Sequence, residues 1–117
     1  MSRDPRLDPQ NGDVVRIKHR GTGEFETITV ANVYATDYDV DIDILCENPA
    51  HNGTLGVTDW WHMNGVIHPE LDLERIDDKW LVRLTGMEHE HKRPHERKFI
   101  CDSVAHIVER FNIKVAE

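Results

Sequence analysis

Three features of this sequence predict an α+β fold, a small antiparallel SH3-like β-barrel with a C-terminal amphipathic helix. Short runs of alternating apolar and polar residues recur between Gly- and Asn-bearing turns. One helical turn, "DWWHMNG", interrupts the strand patterns before the last of them. The final segment then changes to an apolar period of three and four residues. A chain of 117 residues suits one domain. Its parts read as an extended N-terminal arm (1–13), a barrel body (14–85), and a linker with a helix packed on the body (86–117).

The arm, "RDPRLDPQNGD", carries Pro5, Pro9 and Gly12, which favour extended and turn conformations. "VVRIKH" (14–19) alternates Val15 and Ile17 with Arg16 and Lys18, the pattern of a half-buried strand. Gly21 and Gly23 lead through a hairpin into "EFETITVANV" (24–33), which is apolar on both faces near its middle and so reads as central or bent. The third strand is Asp37 to Cys46, and "TLGVT" (54–58) is a short fourth. Asp59 is the expected N-cap of a helical turn closed by Gly65. "LDLERI" (71–76) and "KWLVRL" (79–84) follow as strands. Phe99, Ile100, Val104, Ile107, Val108 and Phe111 mark a helix over about 94–112, with Pro94 in its first turn.

Charge is distributed unevenly. Net charge is −8, yet residues 24–78 hold thirteen acids and the single base Arg75, while both flanking segments are slightly basic. Such a field repels nucleic acid and attracts cationic surfaces. No apolar run approaches the ~20 residues of a membrane span. The N-terminus lacks the apolar centre of a signal peptide, and Cys46 and Cys101 make no disulfide framework. A cytoplasmic protein is the expectation.

The most informative stretch is "TDYDVDIDIL", in which Asp37, Asp39, Asp41 and Asp43 stand at every second position. In one extended strand they would share a face, opposite Tyr38, Val40, Ile42 and Ile44. Four like charges on one strand face repel. One reading is a solvated row neutralised by Arg16, Lys18 and Arg20, which have the same period. Another is a row of charges spaced roughly 6.7 Å apart, close to successive phosphates, offered to a basic groove. Glu24, Glu26, Glu47 and Asp59 would widen that patch, and Trp60 would be an apolar anchor. The competing reading for Trp60 and Trp61 buries both between barrel and helix. Calcium in an EF-hand is not expected, since such a loop needs a Gly at its turn and a closing Glu, and the intervening Val40 and Ile42 demand extended geometry.

Other constellations are weaker. Cys46, His51, His62 and His68 have the count of a zinc set without the spacing of a finger or ribbon. His89, His91 and His95 form no ligand motif, so neither a metal nor another cofactor is expected. Ser103, Asp102 and His106 bring no oxyanion donors or enclosing pocket, and Cys101 borders an apolar stripe, so no enzyme is expected.

The run "RDPRLDPQNGDVVRI", followed by strands and a tryptophan-bearing turn, resembles small phage and prophage proteins with an SH3-like barrel. The likeness covers about the first two thirds of the chain; the aspartate row and the long terminal helix depart from it. It implies a counter-defence or anti-CRISPR-like inhibitor of a host nucleic-acid enzyme, and it supplies no site residue. The function expected is therefore non-catalytic binding, through the acidic strand face, of a protein partner with a basic surface. The alternative from another class is direct nucleic-acid binding by Arg16, Lys18 and Arg20 with Lys92, Arg93, Arg97 and Lys98. A third reading is a metal protein or enzyme built on the histidines.

Overall fold

The computed structural model describes residues 3–19, 21–85 and 98–116. Within them the strands form three antiparallel sheets, each hydrogen-bonded separately. The largest holds β1 (Val14–Lys18), β2 (Phe25–Ala35), β3 (Val40–Cys46) and β4 (Gly53–Gly56) in chain order. Helix α1 (Val57–Met63) follows β4 directly. Strand β5 (Val66–Ile67) pairs with the terminal β9 (Lys114–Val115). β6 (Leu71–Ile76), β7 (Lys79–Leu84) and β8 (Lys98–Cys101) make the third sheet, and α2 (Val104–Arg110) follows β8. The α+β class is thus as expected. No helix among the described residues is long and apolar enough to cross a membrane.

Strand β1 buries Val15 and Ile17 and exposes Val14, Arg16 and Lys18, as its alternation predicts. β2 buries Glu26, Ile28 and Val30, and then its register with β3 shifts between Val30 and Asn32. The extra residue, Ala31, is a bulge that changes which parity faces inward, so Val33 takes the next half-buried place. That bulge is the reason apolar residues appear on both faces of this segment in the sequence.

Helix α1 begins earlier than expected. Gly56 is its N-cap and Asp59 lies in its first turn, so Asp59 does not cap it. Trp60 and Trp61 are both 0% exposed. Adjacent helical residues reach one core only when a second surface covers the helix, and here the N-terminal segment supplies it. That segment is not an extended arm. Leu7 N and Asp8 N both donate to Asp4 O, at 3.0 and 2.9 Å, closing a helical turn. The indole N–H of Trp60 donates to Pro5 O at 3.1 Å, and that of Trp61 to Leu7 O at 2.7 Å.

The same turn is held by an ion pair. Arg3 grips Asp13 with both guanidinium nitrogens, and Gln10 N donates to the same carboxylate at 2.8 Å. The Arg3 hydrogen bond first, and the Gln10 amide with it, lower the Asp13 pKa below its ordinary value near 3.8. A lowered carboxylate stabilises the fold above its unfolded value, and that stability is lost as pH falls through the folded one. Asp13→Asn should therefore lower the thermal midpoint at pH 7 by an amount worth up to about 1 kcal/mol. The gap should close as pH falls below about 4, and a gap unchanged at pH 3 would contradict this assignment.

The C-terminal segment differs from the expected helix. Residues 98–101 are strand β8, and helix begins at Val104; residues 94–97, with Pro94, lie outside the described residues. Ser103 caps α2, its Oγ accepting His106 N at 3.2 Å. Ile107 and Cys101 are fully buried, and Phe99 meets Phe111 edge-on at 5.1 Å. The apolar period in the sequence is therefore shared between a strand and a shorter helix.

Candidate functional site

The aspartate row is divided between a turn and a strand. Thr36 N donates to Asp39 O at 2.8 Å, and Asp39 N donates to Thr36 Oγ1 at 3.0 Å. Residues 36–39 are thus the hairpin connection, and only Asp41 and Asp43 lie in β3. Asp37 is exposed in that turn.

Asp39 has an internal task. Its carboxylate accepts the amide of Val40 at 2.7 Å and the amide of Val57, the first residue of α1. An anionic acceptor at a helix N-terminus satisfies an amide with no intrahelical partner. The carboxylate lies so near Gly56 that a Cβ there would come within 2.1 Å of Asp39 Oδ2. Burial, then the charges of Asp41 and Asp59, push the Asp39 pKa up. Asp39 is therefore removed from the expected partner-binding row.

Asp41 and Asp43 remain. Asp41 stands between Tyr34 of β2 and Gly56 of β4, and Asp43 between Asn32 and Thr54. Paired residues in antiparallel strands share a face. Asp43 Oδ1 accepts the Thr54 hydroxyl at 2.6 Å and the Tyr34 hydroxyl at 3.4 Å. β1 pairs with the other half of β2, from Phe25 to Thr29, so Arg16 and Lys18 do not sit beside the acids. Arg16 and Lys18 instead lie over the Phe25 ring, at 4.5 and 5.9 Å. Neutralisation of the row by β1 is thereby excluded for these two cations; Arg20 lies outside the described residues. Exposed apolar side chains accompany the acids: Leu45 is 52% and Tyr34 39% exposed, and Tyr38 in the turn is 74% exposed.

The remaining expected site residues separate. Asp59 is exposed on α1, and Glu24 is exposed at the β1–β2 hairpin. Trp60 is buried and offers no anchor to a partner, which corrects the exposed placement expected for it. Glu26 is not a rim charge, being 5% exposed.

Glu26 forms a cluster that the sequence spacing did not suggest. Its Oε1 lies 2.8 Å from His19 Nε2 and 2.9 Å from His51 Nδ1, and its Oε2 accepts Asn48 N at 2.9 Å. The Asn48 amide, then His51 and His19, lower the Glu26 pKa to about 2. His19 is placed by the hairpin, where His19 N donates to Glu24 O at 2.8 Å. His51 is placed by a 3₁₀ turn, Pro49–His51, capped by the Asn48 side chain. His19, Glu26 and His51 line an open cavity of about 310 Å³ together with Glu24, Phe25 and Glu47.

The other proposed ligand sets are not assembled among the described residues. His51 enters the Glu26 cluster without His62, His68 or Cys46. His68 Nδ1 bonds Pro69 O at 2.9 Å, and the Cys46 thiol, raised by burial, donates to His51 O at 3.4 Å. His89, His91 and His95 lie outside the described residues, as do Lys92, Arg93 and Arg97. Ser103, Asp102 and His106 make no triad. The serine oxygen caps α2, His106 Nδ1 accepts Asp102 N at 3.0 Å, and Asp102 pairs with Lys79 at 2.6 Å.

Comparison of the chain with family profiles, curated proteins and solved structures gave no match.

Proposed function

We propose that this protein is a non-catalytic, SH3-like binding module. It regulates or inhibits a nucleic-acid-handling protein by covering that partner's basic surface with its acidic sheet face, the counter-defence role that the likeness to phage proteins implies. The observation that carries the reading is the setting of Asp41 and Asp43. They lie on the third of four strands, opposite Tyr34, Gly56, Asn32 and Thr54, with no cation across from either. Carboxylates with no cation among their described strand partners are available to a charge from outside, and complementary charge raises association rate and selects partners. Tyr34, Tyr38 and Leu45 supply the apolar contact that charge alone does not, and Tyr is a frequent hot-spot residue. Asp37 in the turn and Asp59 on α1 extend the negative field.

The test is a pair of charge reversals, Asp41→Lys with Asp43→Lys. The hydroxyl bonds of Asp43 are on an exposed face, so the stability loss should be near 1 kcal/mol. Proteins captured by the wild type should be released by added duplex DNA and should be missing from the double variant. Capture of the same DNA-sensitive proteins by the double variant would refute the acidic face. A mobility shift of DNA by the wild-type protein alone would favour the direct nucleic-acid alternative.

A further inference from the structure

We infer that His19, Glu26 and His51 form a binding site for one divalent late first-row metal ion, with Zn²⁺ as the natural probe. The inference is independent of the acidic face. The site lies at the hairpin end of β1 and β2, whereas Asp41 and Asp43 pair with the other half of β2.

The donor set is two imidazole nitrogens and one carboxylate oxygen, which suits Zn²⁺, Ni²⁺, Co²⁺ and Cu²⁺ better than the oxygen-seeking Ca²⁺ or Mg²⁺. Nε2 of His19, Nδ1 of His51 and a Glu26 oxygen all lie within 4.8 Å of one another. Ligands about 2.0–2.1 Å from a tetrahedral ion are about 3.4 Å apart. The donors already converge, with both nitrogens within 3 Å of Oε1. Small side-chain rotations widen these hydrogen bonds into coordination distances.

Supporting contacts hold the ligands in place. Asn48 N fixes Glu26 Oε2 and leaves Oε1 turned towards the histidines, the kind of outer contact that orients a metal-bound carboxylate. The 3₁₀ turn bearing His51 is tied down by Cys46 N donating to Asn52 Oδ1 at 2.6 Å. Glu26 is buried, while the side chains of His19 and His51 are 37% and 48% exposed beside the open cavity. Three protein ligands, two of them open to solvent, leave a fourth position for water or a small anion. An ion here joins the β1–β2 hairpin to the 3₁₀ turn, so binding must also stabilise the fold.

The experiment uses the whole chain without a histidine tag. Titration with Zn²⁺ at pH 7.5 should give one ion per chain and raise the thermal midpoint by roughly 5 °C when the site is saturated. Co²⁺ should show visible absorption bands of a four- or five-coordinate ion. His19→Ala and His51→Ala, both at partly exposed positions, should each weaken Zn²⁺ binding at least tenfold and remove the midpoint rise. A variant with His89, His91 and His95 all changed to Ala should bind as the wild type does. No stoichiometric binding, unchanged affinity in His19→Ala and His51→Ala, or loss of binding in the triple variant would each overturn the inference. If Glu26→Gln fails to fold, the two histidine variants decide the matter alone.

Discussion

Trp60→Ala and Trp61→Ala should each cost about 3–5 kcal/mol of stability. Both indoles are fully buried, so truncation leaves a cavity as well as removing transfer energy. Each change also strips a donor from a backbone carbonyl, Pro5 O or Leu7 O, in the turn that covers the helix. Against a total of roughly 5–15 kcal/mol for a domain, either change leaves little margin. Urea denaturation followed by circular dichroism measures the loss, and a value under 1 kcal/mol would refute this packing. The milder Trp60→Phe and Trp61→Phe keep most of the apolar volume and lose the N–H with a small part of the ring. They should cost about 1–3 kcal/mol and open residues 3–8 to proteolysis before the rest of the chain.

The second large effect belongs to Asp39 and Gly56. Asp39→Ala removes a charged acceptor from Val40 N and Val57 N and should cost about 2–3 kcal/mol. Gly56→Ala should cost a similar amount for a different immediate reason. Its new Cβ would meet Asp39 Oδ2 at 2.1 Å and Cγ at 2.9 Å, forcing the carboxylate off the α1 N-terminus. Both changes destroy the same contact, so their effects cannot add. In the Asp39→Ala background the added methyl group meets no carboxylate, and the double variant should be no less stable than the worse single one. A chemical-denaturation cycle giving additive losses would show that Gly56 is needed for some other reason.

How far the sequence could be read depended on whether local pattern or distant partners decided each element. β1 matched its alternation, and β6 and β7 formed as strands where strands were expected, because local pattern suffices when one face is buried, although Ile76 at the end of β6 is exposed. The terminal segment misled, because Phe99 and Ile100 of a strand continue, by spacing, the apolar stripe of α2. Short apolar runs fit both periods, and only pairing with β7 decides between them. In the aspartate row, strict alternation concealed a turn, although Thr36 and the aspartates after it are residues that favour one. The burial of Trp60 and Trp61 depends on Pro5 and Leu7 respectively, over fifty positions away. The His19–Glu26–His51 cluster depends on a hairpin and a 3₁₀ turn brought together. One sign of it was present, since Glu26 shares the inward parity of Ile28 and Val30. An acid on the buried side of a strand requires partners.

The place of β1 at one end of the largest sheet gives its cations a different meaning. A terminal strand presents backbone groups on which another polypeptide could add itself. Val14 and the Phe25 ring are exposed on the same sheet face, an invitation to such growth. Arg16 and Lys18 stand along that margin with their charged ends over the Phe25 ring. A second chain approaching to extend the sheet would have to place its own side chains beside both charges. The opposite margin, β4, has four residues and runs straight into α1, leaving little length to copy. Among the described residues, then, the basic residues that fail to balance the aspartates stand where charge disfavours the addition of a fifth strand.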